Sequence, residues 1–287
     1  MASNGRLILS WALRIALSAV FVASAVSKLM GIDRFELYVF SYGFFPLDAC
    51  FLLARLCIGA ELVVAAFTLC GWFPRTMRLV TLGMLLFFSL FLCYAALIGR
   101  NESCQCFGQW VHMNPVQSLL KNAVLIALTL LHYRLLPARR RAPRLWLAAL
   151  LGVGLMVVPF VVSVPDNWLY GAERQPYDKD ILQEALEPDG ALAQRGLGEG
   201  HKLLVFVTQG CPYCKMAREK LTTIADRHHI DSQDIVYVLP SELPDNLFVR
   251  ITYGSRPLLL LLDGREVVST YHFRNIRERE LARHLGR

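Results

Sequence analysis

The chain has 287 residues, of which 55% are hydrophobic, and its mean hydropathy is +0.40. The apolar residues are concentrated in the first 165 positions, which excludes a wholly soluble globular protein. The formal net charge is +7, but the basic residues gather beside apolar segments rather than over a folded face, which disfavours a nucleic-acid-binding protein.

Five apolar segments each come close to the roughly 20 residues that a helix needs to cross a bilayer. They cover residues 7–29, 49–69, 79–98, 116–136 and 145–164. The first could instead be a secretory signal, but it is long, carries Arg14 and Lys28, and lacks a small-residue cleavage site. The pattern therefore predicts an α-helical membrane bundle of about five transmembrane helices.

The arginines predict how this bundle is oriented. One set of loops is rich in arginine: Arg6, Arg75, Arg78, Arg139, Arg140, Arg141 and Arg144. The alternate loops carry Lys28, Arg34 and Arg100. By the positive-inside rule the N-terminus is cytoplasmic, and five spans then place everything after Val164 outside. We expect a multi-pass protein of a bacterial inner membrane, surrounded by lipid, with its C-terminal half in the periplasm.

The loop between the third and fourth segments contains a close cysteine pair, Cys104 and Cys106. A single intervening residue would close a small, strained and labile disulfide ring. The alternatives are a static loop staple or a pair of metal-binding thiols. The other cysteines, Cys50, Cys57, Cys70 and Cys93, fall in or beside the spans and are read mainly as small apolar packing residues. A redox role for Cys57 or Cys93 is the minority interpretation.

Charged residues within the spans need a reason, because each costs roughly a few kcal/mol unless it is paired or hydrated. Arg14, Arg55 and Glu61 are the cases in this chain. An interhelical pair between Arg14 and Glu61 is the favoured interpretation, and a proton or quinone site is the alternative.

The most informative motif is Cys211-Pro212-Tyr213-Cys214, which follows a short apolar strand at 203–208 and opens a helix-like stretch. A cysteine at a helix start lies against unpaired backbone N–H groups, whose partial positive charge favours a thiolate. Cys211 would then be the attacking sulfur and Cys214 the resolving one. Half of a zinc site and a purely structural disulfide are the weaker alternatives, and no second ligand pair with suitable spacing is found.

The first half of the chain resembles the methylamine-utilisation protein MauE and the wider DoxX-like membrane family. The resemblance rests on Phe21 to Leu29, Phe35, Tyr42, Pro46, Glu61, the loop Cys104 to Gly108, and Lys121-Asn122. It covers roughly the first 135 residues and departs from the family at Gln105, where the usual loop has glycine. It implies a four-helix membrane protein needed to make a disulfide-rich periplasmic dehydrogenase, working with a separate thioredoxin-like partner.

After a polar connector at 166–200, the pattern of residues 201–287 predicts the order β-α-β-α-β-β-α, with a hairpin turn at Asp263-Gly264. This order resembles the minimal thioredoxin or glutaredoxin fold, so an α/β domain is expected behind the membrane domain of residues 1–165. The resemblance places Arg256-Pro257 where that family carries a cis-proline, beside Pro212 and Tyr213 in a substrate-binding role. The double glycine of glutaredoxins is missing, which disfavours glutathione.

Together these features predict a membrane-anchored thiol–disulfide oxidoreductase that exchanges disulfides between Cys211/Cys214, Cys104/Cys106 and cysteine-containing periplasmic client proteins. The exchange needs no metal or organic cofactor, although a quinone is a candidate final electron acceptor. The alternatives are a non-catalytic assembly factor or chaperone for a disulfide-rich enzyme such as methylamine dehydrogenase, and a quinone-linked membrane oxidoreductase.

Overall fold

The computed structural model describes residues 2–99, 113–135, 144–171 and 173–286. The chain forms two compact units. The first comprises Met1–Tyr38 and Leu52–Val164, and the second comprises Val39–Phe51 and Pro165–Arg287. The Cys104/Cys106 loop lies outside the described residues.

Long apolar helices build the first unit. In chain order the helices of this half are α1 (Ala2–Met30), α2 (Ile32–Phe40), α3 (Leu47–Cys70), α4 (Pro74–Leu97), α5 (Pro115–Leu135) and α6 (Leu145–Val162). Five of those described, all but α2, are long and apolar enough to cross a membrane. The predicted five-helix bundle is thereby confirmed, and the chain is a multi-pass membrane protein.

The outer helices of the bundle leave many large apolar side chains exposed. Large side chains such as Leu79, Leu86 and Phe87 on α4, and Val153 and Val161 on α6, are exposed. Such side chains would form the core of a soluble protein. In this protein the acyl chains of a bilayer would surround them.

A close approach between α3 and α6 depends on Gly59. A Cβ atom at this position would lie 3.0 Å from the Met156 sulfur and 3.1 Å from the Met156 Cα. Small residues allow helices to pack backbone to backbone within a membrane, so Gly59 marks the crossing point of these two helices.

The second unit contains a four-stranded mixed sheet with helices around it. Its elements are α7 (Asp166–Leu169), α8 (Lys179–Leu186), β1 (His201–Phe206), α9 (Pro212–His228), β2 (Ile235–Val238), α10 (Leu247–Thr252), β3 (Leu258–Asp263), β4 (Glu266–Tyr271) and α11 (Glu278–Leu285). The strand order is β2-β1-β3-β4. β2 runs parallel to β1, and β3 is antiparallel to both β1 and β4. The expected α/β domain is confirmed.

Alternating side chains of the central strands feed two cores, one on each face of the sheet. On β3, Leu259 and Leu261 join a core with Leu221 and Ile224 of α9. The side chains between them belong to a second core, which α8 and α10 cover. The sheet is therefore buried on both faces, which explains why β3 reads as an unbroken run of leucines.

The stretch from 166 to 200, which the sequence suggests is a polar connector, contributes to the second core. Asp178 caps α8 by accepting a hydrogen bond from the Ile181 N–H at 3.1 Å. Leu182 and Leu186 on one face of this helix are buried, as are Leu192 and Leu197 after it. The polar residues of this stretch form the solvent-facing side of an amphipathic segment. Composition alone therefore did not show that its leucines are buried.

Residues Val39–Phe51 also belong to the second unit, where Phe40, Leu47 and Phe51 join the first core. The carboxylate of Glu278 accepts a hydrogen bond from the backbone N–H of Leu47 at 2.8 Å. Leu47 is the first residue of α3, so this contact satisfies one of the N–H groups that a helix start leaves without an internal partner.

Candidate functional site

Three loops meet at one end of the sheet. Phe206, the last residue of β1, pairs with Leu258, the first residue of β3. Leu259 pairs with Tyr271, the last residue of β4. The residues that follow β1, precede β3 and follow β4 therefore share one end of the sheet.

The dithiol follows β1 and opens α9. Cys211 is the N-cap of α9, with Pro212 in the first turn, where the missing N–H of proline is not needed. The Cys214 N–H donates to the Cys211 sulfur at 3.2 Å, and the two sulfur atoms lie 2.6 Å apart. Both cysteines are free thiols. They are placed to form and break a disulfide with little movement of the backbone.

The two thiols differ in exposure. Cys211 is half-buried, whereas Cys214 is only 4% exposed. Burial, the Cys211 side chain and, with opposite sign, hydrogen bonding to Thr208 act on Cys214, and the net effect raises the pKa of its thiol. A partly exposed sulfur beside a buried, protonated one is the asymmetry that separates an attacking from a resolving cysteine.

Arg256 and Pro257 stand directly before β3, joined by a cis peptide bond. Pro257 is buried and Arg256 is exposed. The side-chain amide of Gln175, oriented to satisfy both its nitrogen and its oxygen, donates to the carbonyls of Pro257 at 3.0 Å and Tyr271 at 3.3 Å. Sequence reasoning missed Gln175, since nothing near it in the chain indicates a contact with the ends of β3 and β4.

An aromatic row runs from the dithiol along this end of the sheet. The ring centroids of Tyr213 and Phe273 lie 4.9 Å apart, those of Phe273 and His272 lie 4.7 Å apart, and those of His272 and Tyr170 lie 4.0 Å apart. Burial lowers the pKa of His272, which favours a neutral imidazole in the row. Only Tyr213 was singled out in the sequence. The run Tyr271-His272-Phe273 at the end of a strand was the available signal for its neighbours.

The first histidines after the dithiol in the sequence, His228 and His229, do not lie beside it in the fold. His228 ends α9 and His229 follows, at the opposite end of that helix from Cys211 and Cys214. His228 instead places its Nε2 atom 3.0 Å from Glu278, which also pairs with Arg227. His228 and His229 therefore lie too far along α9 to act as ligands beside Cys211 and Cys214.

Within the first unit, the predicted pair between Arg14 and Glu61 is wrong. Glu61 forms a buried ion pair with Lys28, and the Ser24 hydroxyl donates to the same carboxylate at 3.1 Å. Arg14 is buried over the ring of Trp11 and donates to the Leu69 carbonyl at 3.4 Å. Lys28 was assigned to a loop because it ends the apolar segment, but its side chain turns back along α1 and reaches the carboxylate.

Arg55, the third predicted intramembrane charge, also has a buried partner. It pairs with Glu36 of α2 and donates to the carbonyls of Ser163 at 2.8 Å and Val164 at 3.1 Å. The charges of Glu61 and Arg55 are thus each compensated by a buried partner of opposite charge, which lowers the cost of holding them in an apolar medium.

The other described cysteines lie apart from the dithiol in sequence. Cys50 is buried in the first core of the second unit, which also holds Cys214. Cys57 is partly buried on α3, and Cys70 and Cys93 are exposed at or near helix ends. Burial of Cys50 and partial burial of Cys57 fit the predicted packing role, whereas the exposed side chains of Cys70 and Cys93 do not pack in a core.

Membrane-spanning helices followed by an α/β domain with a free Cys-X-X-Cys pair define a multi-pass membrane protein with a C-terminal dithiol domain. Residues 6–135 match the family of the methylamine utilisation protein MauE. MauE of Paracoccus versutus is 32% identical over 135 residues, which are 46% of this chain and 73% of that protein. The chain belongs to the MauE family.

A second relative covers more of the chain. Protein TlpB of Flavobacterium psychrophilum is 23% identical over 269 residues, which are 77% of this chain and 73% of TlpB. No solved structure matches the chain.

Proposed function

We propose that this protein is a membrane-anchored thiol–disulfide oxidoreductase with a thioredoxin-like domain that faces the periplasm. The observation that carries the proposal is the pairing of a half-exposed Cys211 with a buried Cys214 at the start of α9. The strand order and the position of the dithiol, which follows β1 and opens α9 at one end of the sheet, support the thioredoxin-like assignment.

The chemistry follows from the two sulfur atoms. The Cys211 thiolate attacks one sulfur of a client disulfide, so that a mixed disulfide forms and the second client sulfur leaves as a thiolate that takes a proton from water. Cys214 then loses its proton and attacks the Cys211 sulfur, which breaks the mixed disulfide. Two electrons pass to the client and the Cys211–Cys214 disulfide is formed. In the reverse direction the same steps oxidise a client dithiol.

Buried Cys214 suits the second step. In the reduced protein its raised pKa keeps the Cys214 thiol protonated, so that Cys211 reacts first, and its 4% exposure shields it from other disulfides. Pro212 and Tyr213 follow Cys211 in the first turn of α9, and Arg256 and Pro257 precede β3 at the same end of the sheet. We propose that these four residues contact the client chain. No metal is required for these steps.

Cys104 and Cys106 are proposed as the second pair of a relay, exchanging disulfides with Cys211/Cys214. The positive-inside distribution of arginines supports placing both pairs in the periplasm. A quinone in the membrane is the proposed final electron acceptor if the protein oxidises its clients.

The full chain in detergent or nanodiscs provides the test. Cys211→Ser should abolish reduction of hydroxyethyl disulfide by the reduced protein, whereas Cys214→Ala should accumulate a mixed disulfide at Cys211. Cys70→Ser is the matched control and should behave like the unaltered protein. Full activity in Cys211→Ser would overturn the proposal. In membranes, the relay predicts that Cys214→Ala traps Cys211 linked to Cys104 or Cys106, and trapping to neither would exclude it.

The alternative is a non-catalytic assembly factor or chaperone for a disulfide-rich periplasmic enzyme such as methylamine dehydrogenase. The family match favours it, because that match covers residues 6–135 and not the dithiol. This alternative predicts that a variant with both Cys211→Ser and Cys214→Ser still supports enzyme maturation. Loss of activity in quinone-depleted membranes would instead support a quinone-linked oxidoreductase.

A further inference from the structure

The aromatic row, defined as Tyr213, Phe273, His272 and Tyr170, begins between the two cysteines and leads away from them. Tyr213 is 43% exposed, and the other three rings are partly buried. The Tyr213 hydroxyl makes no described hydrogen bond, and its described ring contact is with Phe273. An aromatic side chain left this exposed beside a reactive sulfur contributes little to the core, but it offers a flat apolar face to another molecule.

Three separate segments of the chain contribute rings to this row. Tyr213 comes from α9, His272 and Phe273 follow β4, and Tyr170 follows α7. Neighbouring rings lie within the 4.5 to 7 Å range typical of aromatic pairs, or stack more closely, as His272 and Tyr170 do at 4.0 Å. Rings held by their neighbours lose little conformational freedom when another molecule packs on them.

The positive charge at this end of the sheet comes from Arg256. It is exposed next to Pro257 and makes no ion pair with any residue that the structure describes. The Arg274 guanidinium lies 5.8 Å from the ring centroids of both Tyr170 and Phe273, but its charge is compensated by Asp166 at 3.8 Å. Glu173 lies close enough to act on His272, so the excess of positive charge is modest. Apolar rings together with the Arg256 cation fit a chain that offers an aromatic side chain and a carboxylate.

We infer that the aromatic row and Arg256 form a docking surface for an extended client segment in which the reacting cysteine is flanked by an aromatic and an acidic residue. The client aromatic ring packs on Tyr213 and Phe273, and the carboxylate faces Arg256. This inference rests on the proposed thiol–disulfide exchange and names the class of polypeptide that the site accepts.

The test measures the rate of disulfide exchange by the reduced full-length protein in nanodiscs. Four short peptide disulfides carry either phenylalanine or serine on one side of the cysteine, and either aspartate or lysine on the other. Hydroxyethyl disulfide, which has neither a ring nor a charge, reports the intrinsic reactivity of Cys211. The phenylalanine–aspartate peptide should react with a kcat/KM roughly two- to tenfold above that of the serine–aspartate peptide, from the usual strength of one aromatic pair.

Variants separate docking from structure. Phe273→Leu and Tyr170→Leu should erase the preference for phenylalanine through KM, and Arg256→Gln should erase the preference for aspartate. Each variant's rate with hydroxyethyl disulfide is measured as well, so that its two peptide preferences are expressed relative to the intrinsic reactivity of Cys211 in that same variant. Tyr253→Leu, which alters an exposed tyrosine that is not part of the row, should retain both preferences.

Equal rates for the four peptides, or a phenylalanine preference that survives Phe273→Leu and Tyr170→Leu, would overturn the docking surface while leaving thiol–disulfide exchange intact. Failure to react with hydroxyethyl disulfide as well would overturn the proposed function, and the docking surface with it.

Discussion

The backbone N–H of Cys214 donates a hydrogen bond to the sulfur of Cys211 across 3.2 Å. The contact exists because Cys211 caps α9, so that a helix start presents its unpaired N–H groups to this sulfur. Cys214 lies one turn inside the same helix and is 4% exposed. The start of α9 thus leaves the Cys211 thiol partly exposed and buries the Cys214 thiol.

This asymmetry predicts the order in which the cysteines react with iodoacetamide. Because the pKa of Cys214 is raised above the ordinary thiol value, its thiolate requires a higher pH than that of an unperturbed cysteine. Reduced protein at pH 7 should be modified at Cys211 and spared at Cys214, with Cys214 reacting only at a higher pH than an ordinary cysteine, as peptide mass mapping would show. Rapid modification of Cys214 at pH 7 in a Cys211→Ser variant would contradict this assignment.

A second prediction concerns Glu278, whose buried carboxylate meets Arg227, His228 and the Leu47 N–H. Glu278→Gln removes the charge that compensates Arg227 and should destabilise the second unit by about 2 to 4 kcal/mol, the usual cost of breaking a buried charge pair. Thermal unfolding followed by circular dichroism would measure the loss.

Glu266→Gln is the control for Glu278, because Glu266 is an exposed carboxylate on β4 with no described ion pair. It should change the unfolding temperature very little. Equal effects of the two substitutions would show that the Glu278 contacts do not stabilise the fold.

The Lys28–Glu61 pair predicts a non-additive result. Lys28→Met leaves a buried carboxylate without its cation, and Glu61→Gln leaves a buried ammonium without its anion, each at a cost of about 3 to 5 kcal/mol. The double variant removes both charges and should be more stable than either single variant. Unfolding of the full chain in detergent provides the three values, and simple addition of the single losses would contradict a direct pair.

Gly59 provides a test of helix packing in the membrane unit. Gly59→Ala places a methyl group against the Met156 backbone and should lower the unfolding temperature. Gly83→Ala is the matched control, since nothing lies within 4 Å of the position of a Cβ there. It should be neutral or stabilising, because alanine favours the helix by about 1 kcal/mol over glycine.

Most elements could be predicted from the sequence because their signals are local. A run of about 20 apolar residues predicts a membrane helix wherever it lies, and the span boundaries at Leu47–Cys70 and Leu145–Val162 fall close to the predicted ones. The strand before Cys211 and the helix after it were likewise readable from a short window. α2 was missed because its polar residues interrupt the apolar pattern.

The sequence by itself determined the membrane helices, the order of strands and helices behind them, and the dithiol at the start of α9, since these depend on neighbours along the chain. Only the tertiary structure decided that Glu61 pairs with Lys28 rather than Arg14, that Gln175 reaches Pro257, and that Phe273 extends the surface begun by Tyr213. Those contacts join residues that are distant in sequence. Their partners depend on how helices and strands pack, which the composition or periodicity of one segment does not encode.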